Sequence, residues 1–147
     1  MDWFNWIGLI IVVIIMCPNI IYAIKKKEDF SNDIGKTILL FEQIGRDGCM
    51  AFMIFNIPYT YFNFWFGNAL ILYVVINAIL VLIYVILFFA TWNAKNLFKV
   101  LSLSILPSLI FIFSGITLLN IPLMVFGITF AVCHITVSVK NYERKSN

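Results

Sequence analysis

Charged residues are scarce in this chain of 147 residues. Asp, Glu, Lys and Arg make up 12% of the sequence, whereas soluble domains carry about 25%. Hydrophobic residues make up 63%, against about 45–50% in a typical soluble domain. These proportions exclude a soluble domain of any size and indicate an integral membrane protein.

Histidine and cysteine are also rare, and recognised catalytic motifs are missing. The single histidine, His134, excludes every motif that needs two, and the sequence has no P-loop, nucleotide-binding or serine-hydrolase fingerprint. No cofactor is therefore predicted. The three cysteines Cys17, Cys49 and Cys133 show no C-x-x-C spacing and lie in apolar runs, so no disulfide framework is predicted either.

Five charge-poor runs are long enough to be membrane helices, which need roughly 20 apolar residues to cross a hydrocarbon core about 30 Å thick. The first run is interpreted as a span and not as a cleaved signal peptide, because it lacks a preceding basic segment and Lys25 follows it. The sequence predicts an all-α, polytopic integral membrane protein, with one transmembrane domain over 1–147. The predicted spans are 3–24, 37–58, 68–91, 99–119 and 122–139.

The basic residues predict the orientation of these spans. With five alternating helices, nine of the ten fall on one side of the membrane and Arg46 lies towards it. The positive-inside rule then places the amino terminus outside and the carboxyl terminus in the cytoplasm, as expected of a multi-pass protein of the plasma membrane. The nine residues are Lys25, Lys26, Lys27, Lys36, Lys95, Lys99, Lys140, Arg144 and Lys145.

Aromatic residues cluster on the predicted outer side. Trp3, Phe4 and Trp6 begin the chain, and the segment 56–68 between the second and third spans contains further Tyr, Phe and Trp residues. Such rings are typical of the membrane–water interface. The short loops and the net charge of +3 predict the lipid bilayer as the surroundings and no nucleic-acid partner.

The stretch 41–52 places the charged residues Glu42, Arg46 and Asp47 inside the second apolar run. Two positions of the membrane span along the sequence, which we call registers, account for these charges. In the deeper register a helix capped by Asn32 or Asp33 runs from about 34 to 57 and is closed by Pro58. Glu42 and Arg46 then form an i, i+4 pair within the membrane. In the shallower register the span covers 48–66, and the charges lie among the cytoplasmic headgroups.

Small and polar residues recur on one side of each of the last four predicted helices, which is typical of helix-packing seams in membranes. In the second span the stripe contains Glu42, Gly45, Cys49, Phe52 and Asn56. The other stripes are Tyr73, Asn77 and Tyr84; Ser104, Ser108 and Gly115; and Gly127, Ala131, His134 and Ser138.

Glu42 and His134 are predicted to lie level with each other, each about 7.5 Å from the inner end of its span. An intramembrane cluster of acid, base and imidazole is a candidate site for a proton, an ion or a substrate. The predicted site therefore contains Glu42, Arg46, Asp47 and His134. Tyr73 and Asn77 are added as further polar residues in the spans.

Two functions remain open at this point. The first is a channel or transporter of an ion or small solute, with a charged site in the cytoplasmic half of the bilayer and a homo-oligomeric assembly. The alternative is a non-catalytic accessory subunit that docks onto other membrane subunits. A lipid-directed enzyme using Glu42 and His134 is a third reading, and a metal site at Cys17, Cys133 and His134 is a fourth.

Overall fold

The computed structural model describes residues 3–25, 35–57, 59 and 67–147. These residues form five α-helices and no strand, which confirms the predicted all-α fold for this part of the chain. Three of the described helices, Ala69–Ala90, Leu97–Leu118 and Ile121–Ser146, are long and apolar enough to cross a membrane, so the described part of the chain is all-helical and membrane-embedded. The helices are α1 (Trp6–Lys25), α2 (Lys36–Ile54), α3 (Ala69–Ala90), α4 (Leu97–Leu118) and α5 (Ile121–Ser146).

A two-residue turn joins α4 to α5. Leu119 takes the left-handed conformation, with φ of 49°, and the Asn120 backbone N–H donates to the Gly115 carbonyl at 2.9 Å. The Asn120 side chain then accepts the N–H of Leu123 at 3.1 Å and caps α5. Because this turn is so short, α4 and α5 pack antiparallel along their length.

The five helices form a ring of neighbours, which a smaller contact between α2 and α4 crosses. In order around the ring, α1 packs on α2, α2 on α5, α5 on α4, α4 on α3, and α3 on α1. The first four contacts are antiparallel, but α1 and α3 run parallel. Asn5 donates to the Tyr73 hydroxyl at 3.4 Å near the beginning of both helices, and the Tyr84 hydroxyl donates to Asn19 at 3.1 Å near their carboxyl ends.

These directions give the bundle two different ends. We call the end of the bundle at which α1 begins the amino-terminal end. There, the aromatic rings of four residues contact one another: Trp3, Phe4, Trp6 and Phe55. The opposite end, which we call the basic end, holds the described Lys and Arg residues apart from Arg46. They are Lys25, Lys36, Lys95, Lys99, Lys140, Arg144 and Lys145.

The carboxyl end of α2 departs from both predicted registers. The helix stops at Ile54, and Phe55 is extended, with φ of −106° and ψ of 121°. The segment after Ile54 pairs with the residues before α1: the Asn5 N–H donates to the Ile54 carbonyl at 2.7 Å, and the Asn56 N–H donates to the Trp3 carbonyl at 2.8 Å. Residues 55–57 are not helical, which excludes a continuous helix over 48–66. The helix of the deeper register ends three residues earlier than predicted.

Two other boundaries also differ from the prediction. Gly35 occupies the N-cap position of α2, whereas the predicted caps Asn32 and Asp33 lie outside the described residues. The last helix continues to Ser146, beyond the predicted span end at 139. Apolar length marks how much of a helix can cross a membrane, and a helix can continue into polar surroundings where its backbone stays hydrogen-bonded.

The predicted packing stripes face the interior. Tyr73 and Tyr84 are 1% exposed and Asn77 is fully buried. Gly45 and Cys49 of α2, the α4 stripe and Gly127 of α5 are also buried. By contrast, α3 turns a continuous apolar face outward, including Ile71, Ile79, Leu82 and Ile86, as suits contact with lipid.

Candidate functional site

The contact between α2 and α5 is close because glycines lie along it. A Cβ atom at Gly45 would lie 3.0 Å from the backbone of Phe130, and one at Gly48 would lie 2.6 Å from the ring of Phe126. Small residues of this kind let two helix backbones approach. The approach brings Glu42 of α2 and His134 of α5 into contact.

Glu42 and His134 form the central pair of the candidate site. His134 Nδ1 lies 2.6 Å from Glu42 Oε1, at the short end of the range for hydrogen bonds between a ring nitrogen and a carboxyl group. The Glu42 side chain is 15% exposed and that of His134 is 27% exposed. Nδ1 donates to the carboxylate when the proton is on the ring, and the carboxyl group donates to Nδ1 when the proton is on its oxygen.

Aromatic rings close the pair off towards the amino-terminal end. The ring of Phe130 stacks on His134, with centroids 4.7 Å apart and an interplanar angle of 15°. Phe111 packs edge-on against Phe130 at 5.8 Å, and Phe52 stacks on Phe126 at 5.6 Å. These rings form an apolar layer above the pair.

Hydroxyl groups lie level with the pair and on its other side, towards the basic end. Ser138 follows His134 by one helical turn, and the Ser104 hydroxyl donates to the Ser138 hydroxyl at 2.8 Å. The Ser108 hydroxyl donates to the Ser104 carbonyl at 3.0 Å. The surroundings of Glu42 and His134 are therefore asymmetric, with aromatic rings on one side and hydroxyls on the other.

Arg46 and Asp47 lie apart from this pair, on the outer face of α2. The Arg46 guanidinium contacts the Gln43 side-chain oxygen, and its Nε lies 3.7 Å from Asp47 Oδ1. Gln43 in turn donates to Asp47 Oδ2 at 2.9 Å. The predicted pairing of Glu42 with Arg46 is wrong, because His134 is the partner of Glu42 and Gln43 and Asp47 lie within reach of Arg46.

Tyr73 and Asn77 belong to a separate buried cluster at the contacts of α3 with α1 and α4. The Asn77 amide donates to the Ser114 hydroxyl at 3.1 Å, and Asn5, which immediately precedes α1, donates to the Tyr73 hydroxyl. Ser114 is only four residues from the end of α4, in the half of the bundle nearer the amino-terminal end. The structure therefore does not gather the predicted site residues into one place: Glu42 and His134 meet, Arg46 and Asp47 face outward, and Tyr73 and Asn77 tie helices together.

Three residues at these contacts did not emerge from the sequence. Gln43 lies four residues before Asp47, and Phe130 lies four residues before His134. Both spacings place side chains on one helix face and could have indicated the contacts. Ser114 offered a weaker signal, because serine is common in membrane helices as a packing residue.

The cysteines do not complete a metal site in the described part of the chain. Cys17 is exposed on α1, Cys49 is buried on α2, and Cys133 is partly buried beside His134. Among the described residues, no three His, Cys, Asp or Glu side chains are grouped closely enough to hold a metal ion.

A shallow groove of about 320 Å³ lies on the outward face of α3, away from the Glu42–His134 pair. Asn68, Ile71, Leu72 and Val75 line it. Its lining is almost entirely apolar, which fits acyl chains of lipid better than a polar solute.

No protein-family model, curated protein or solved structure matches the chain. Any function proposed for the chain therefore depends on the geometry of the site.

Proposed function

We propose that the protein is a small channel or transporter that moves an ion or small solute across the plasma membrane, with the Glu42–His134 pair as its proton- or ion-binding site. The observation that carries the proposal is the 2.6 Å contact between a carboxyl group and an imidazole on two different helices. Ionisable side chains inside a membrane bundle are rare because they are costly to bury, and they commonly mark proton or ion paths.

In this proposal all five helices cross the membrane, with the basic end in the cytoplasm. The clustering of lysine and arginine at one end of the bundle supports this orientation through the positive-inside rule. The 19 residues of α2 extend over about 28 Å, close to the thickness of the hydrocarbon core. Glu42 follows Lys36 by six residues, so it lies about 9 Å from the basic end.

The asymmetry around the pair supports access from the cytoplasm. A proton or ion arriving from the basic end meets the hydroxyls of Ser104 and Ser138 before it reaches His134. The stacked ring of Phe130 closes the opposite side. Imidazole changes its charge near neutral pH more readily than any other side chain, so His134 is suited to exchange protons with Glu42.

Reconstitution tests the proposal. We expect purified protein in liposomes with a trapped pH-sensitive dye to raise the rate of proton movement under an imposed pH gradient. Glu42→Gln and His134→Gln should each reduce that rate at least tenfold, because each removes one ionisable partner. Glu143→Gln is the matched control, since Glu143 is exposed near the end of α5. Equal rates for wild type, Glu42→Gln and empty liposomes would contradict the proposal.

The exposed polar cluster on α2 favours a second candidate, an accessory subunit of a larger membrane complex. Gln43, Arg46 and Asp47 form contacts with one another on the outer face of the helix, and such groups inside a bilayer require a protein neighbour. Purification in mild detergent separates the two candidates. A transporter should form a defined oligomer by itself, whereas an accessory subunit should co-purify with a different protein in fixed proportion.

A further inference from the structure

The outer face of α2 carries a polar cluster formed by Gln43, Arg46 and Asp47. The Arg46 side chain is 37% exposed and that of Asp47 is 60% exposed. Leu40, Gln43, Asp47 and Ala51 recur at helical spacing and are all exposed, so they form one outward stripe with Arg46 at its edge. The neighbouring helices α1 and α5 pack on the other sides of α2.

This stripe needs a protein neighbour if α2 crosses the membrane, which is part of the proposed function. Arg46 follows Lys36 by ten residues, about 15 Å along the helix and close to the middle of a hydrocarbon core of about 30 Å. Lipid chains cannot hydrogen-bond a guanidinium, a carboxylate or an amide. The Arg46 guanidinium has five N–H donors, and its contacts with Gln43 and Asp47 involve only the Nη2 and Nε atoms.

We propose that two copies of the chain pack through this stripe, with α2 parallel to α2 of the partner about a two-fold axis. In the dimer each Arg46 donates to the partner's Asp47, and the two Gln43 amides hydrogen-bond to each other. Ala51 lies further along the same face and lets the two helix backbones approach.

Charge complementarity is the reason for choosing a second copy as the occupant. In a two-fold contact the same patch lies on both sides, so the patch must complement itself. In a parallel two-fold contact each residue lies level with its own copy, so each Arg46 lies within one residue rise, about 1.5 Å, of the level of the partner's Asp47. The two opposite charges can then pair across the axis, which meets this requirement. Gln43 meets it too, because its amide has both a donor and an acceptor.

Cysteine cross-linking tests the contact in native membranes. In a chain whose own cysteines are replaced by alanine, Ala51→Cys should form a disulfide-linked dimer on oxidation with copper phenanthroline. Ile71→Cys is the control: it is 63% exposed on α3 and lies at a similar distance from the amino-terminal end. We expect at least tenfold more dimer from Ala51→Cys. Equal cross-linking at the two positions, or a link from Ala51→Cys to a different protein, would overturn the proposal.

Charge exchange tests the pairing itself. Arg46→Asp and Asp47→Arg should each lose at least nine-tenths of the Ala51→Cys cross-link, because like charges then face each other. Co-expression of the two variants should restore a mixed dimer, since each supplies the charge that the other lacks. The neutral double variant Arg46→Gln with Asp47→Asn serves where the charged variants do not accumulate, and it should also reduce the cross-link. An unchanged cross-link in this double variant would overturn the assigned pairing.

The outcomes separate this contact from the proposed function. Cross-linking at Ala51→Cys without proton movement in liposomes would leave the dimer intact and reject the transport site. Proton movement sensitive to Glu42→Gln without that cross-link would retain the site and reject the dimer.

Discussion

Glu42 has two possible partners in the sequence: Arg46, four residues later on the same helix, and His134, on the last helix. The structure pairs it with His134 at 2.6 Å. An exposed i, i+4 ion pair contributes only about 0.3–0.5 kcal/mol, so a neighbouring helix can readily displace it. Here Gly45 brings α5 close, and Gln43 and Asp47 hold Arg46 on the other face.

We expect Glu42 and His134 to be energetically coupled. A double-mutant cycle of Glu42→Gln and His134→Gln should give a coupling of about 1 kcal/mol or more in the free energy of unfolding. Hydrogen bonds between membrane helices average about 0.6 kcal/mol and reach about 1.7 kcal/mol, and one that joins an acid to an imidazole belongs in the upper part of that range. Unfolding with SDS in mixed micelles measures each variant.

The control cycle combines Glu42→Gln with Arg46→Gln. Since Glu42 and Arg46 have different partners, their effects should add to within about 0.5 kcal/mol. Strong coupling in this control together with weak coupling to His134 would contradict the assigned contact. It would instead restore the i, i+4 pair expected from the spacing alone.

At the scale of the helix, the contact between α4 and α5 depends on Gly127. A Cβ atom at Gly127 would already lie 3.0 Å from Ile112, so Gly127→Leu should force the helices apart at a cost of about 1–3 kcal/mol. Ile128→Leu is the control, because Ile128 is 55% exposed and the two side chains are similar in volume. Thermal unfolding in detergent, followed by circular dichroism, should show a lower midpoint for Gly127→Leu alone. Equal midpoints would reject this packing.

Much of the helix pattern could be predicted from apolar length, whereas some ends could not. All five predicted runs contain a helix, and the predicted stripes at Tyr73 and Ser104 face the interior. The end of α2 at Ile54 depends on backbone hydrogen bonds to residues about 50 positions away. No local pattern encodes such a contact, so Pro58 was the only visible signal and it overestimated the helix.

The candidate site shows the same division between local and distant information. Periodicity and the distances from the span ends placed Glu42 and His134 at the same level, although Arg46 was predicted to be the partner of Glu42. The outward direction of Arg46 could not be predicted, because Arg46 reaches Gln43, Asp47 and Glu42 equally well along one helix. Neighbouring helices decide among such partners, and a single sequence does not say which helices are neighbours.

At the scale of the whole molecule, we expect α2 to cross the membrane. In a cysteine-free chain expressed in cells, Tyr59→Cys should react with an impermeant maleimide from outside, since Tyr59 is fully exposed. Gly35→Cys, at the other end of α2, should react only after permeabilisation. Gel-shift labelling measures both sites. Labelling of both cysteines from the same side would show that α2 does not cross.

Gly67→Cys and Asn93→Cys supply the matching controls for α3, one of the three helices that are apolar enough to cross a membrane. Both positions are exposed and flank the helix. Gly67→Cys should react from outside and Asn93→Cys only after permeabilisation, as the positive-inside rule requires. The reverse order at both sites would invert the proposed orientation.

The parallel contact between α1 and α3 should be weaker than the antiparallel contacts of α4 with α3 and α5. Parallel helices place ends of like partial charge side by side, and here the Tyr73 and Tyr84 hydroxyls tie the two helices. Tyr84→Phe should therefore speed maleimide labelling of Ile15→Cys, which is on α1 and buried. Ile110→Cys, buried on α4, should label at its original rate. Equal acceleration at both positions would show that the whole bundle loosens.

The parity of the ring makes one such contact unavoidable. In a ring with an odd number of helices, the two helix directions cannot alternate all the way round, so at least one pair of neighbours has the same direction. Five helices that alternate along the chain and close into a ring must therefore contain a parallel pair, whatever their side chains. A sixth helix inserted between α1 and α3 would make the number of helices in the ring even, so that every neighbour in it could be antiparallel.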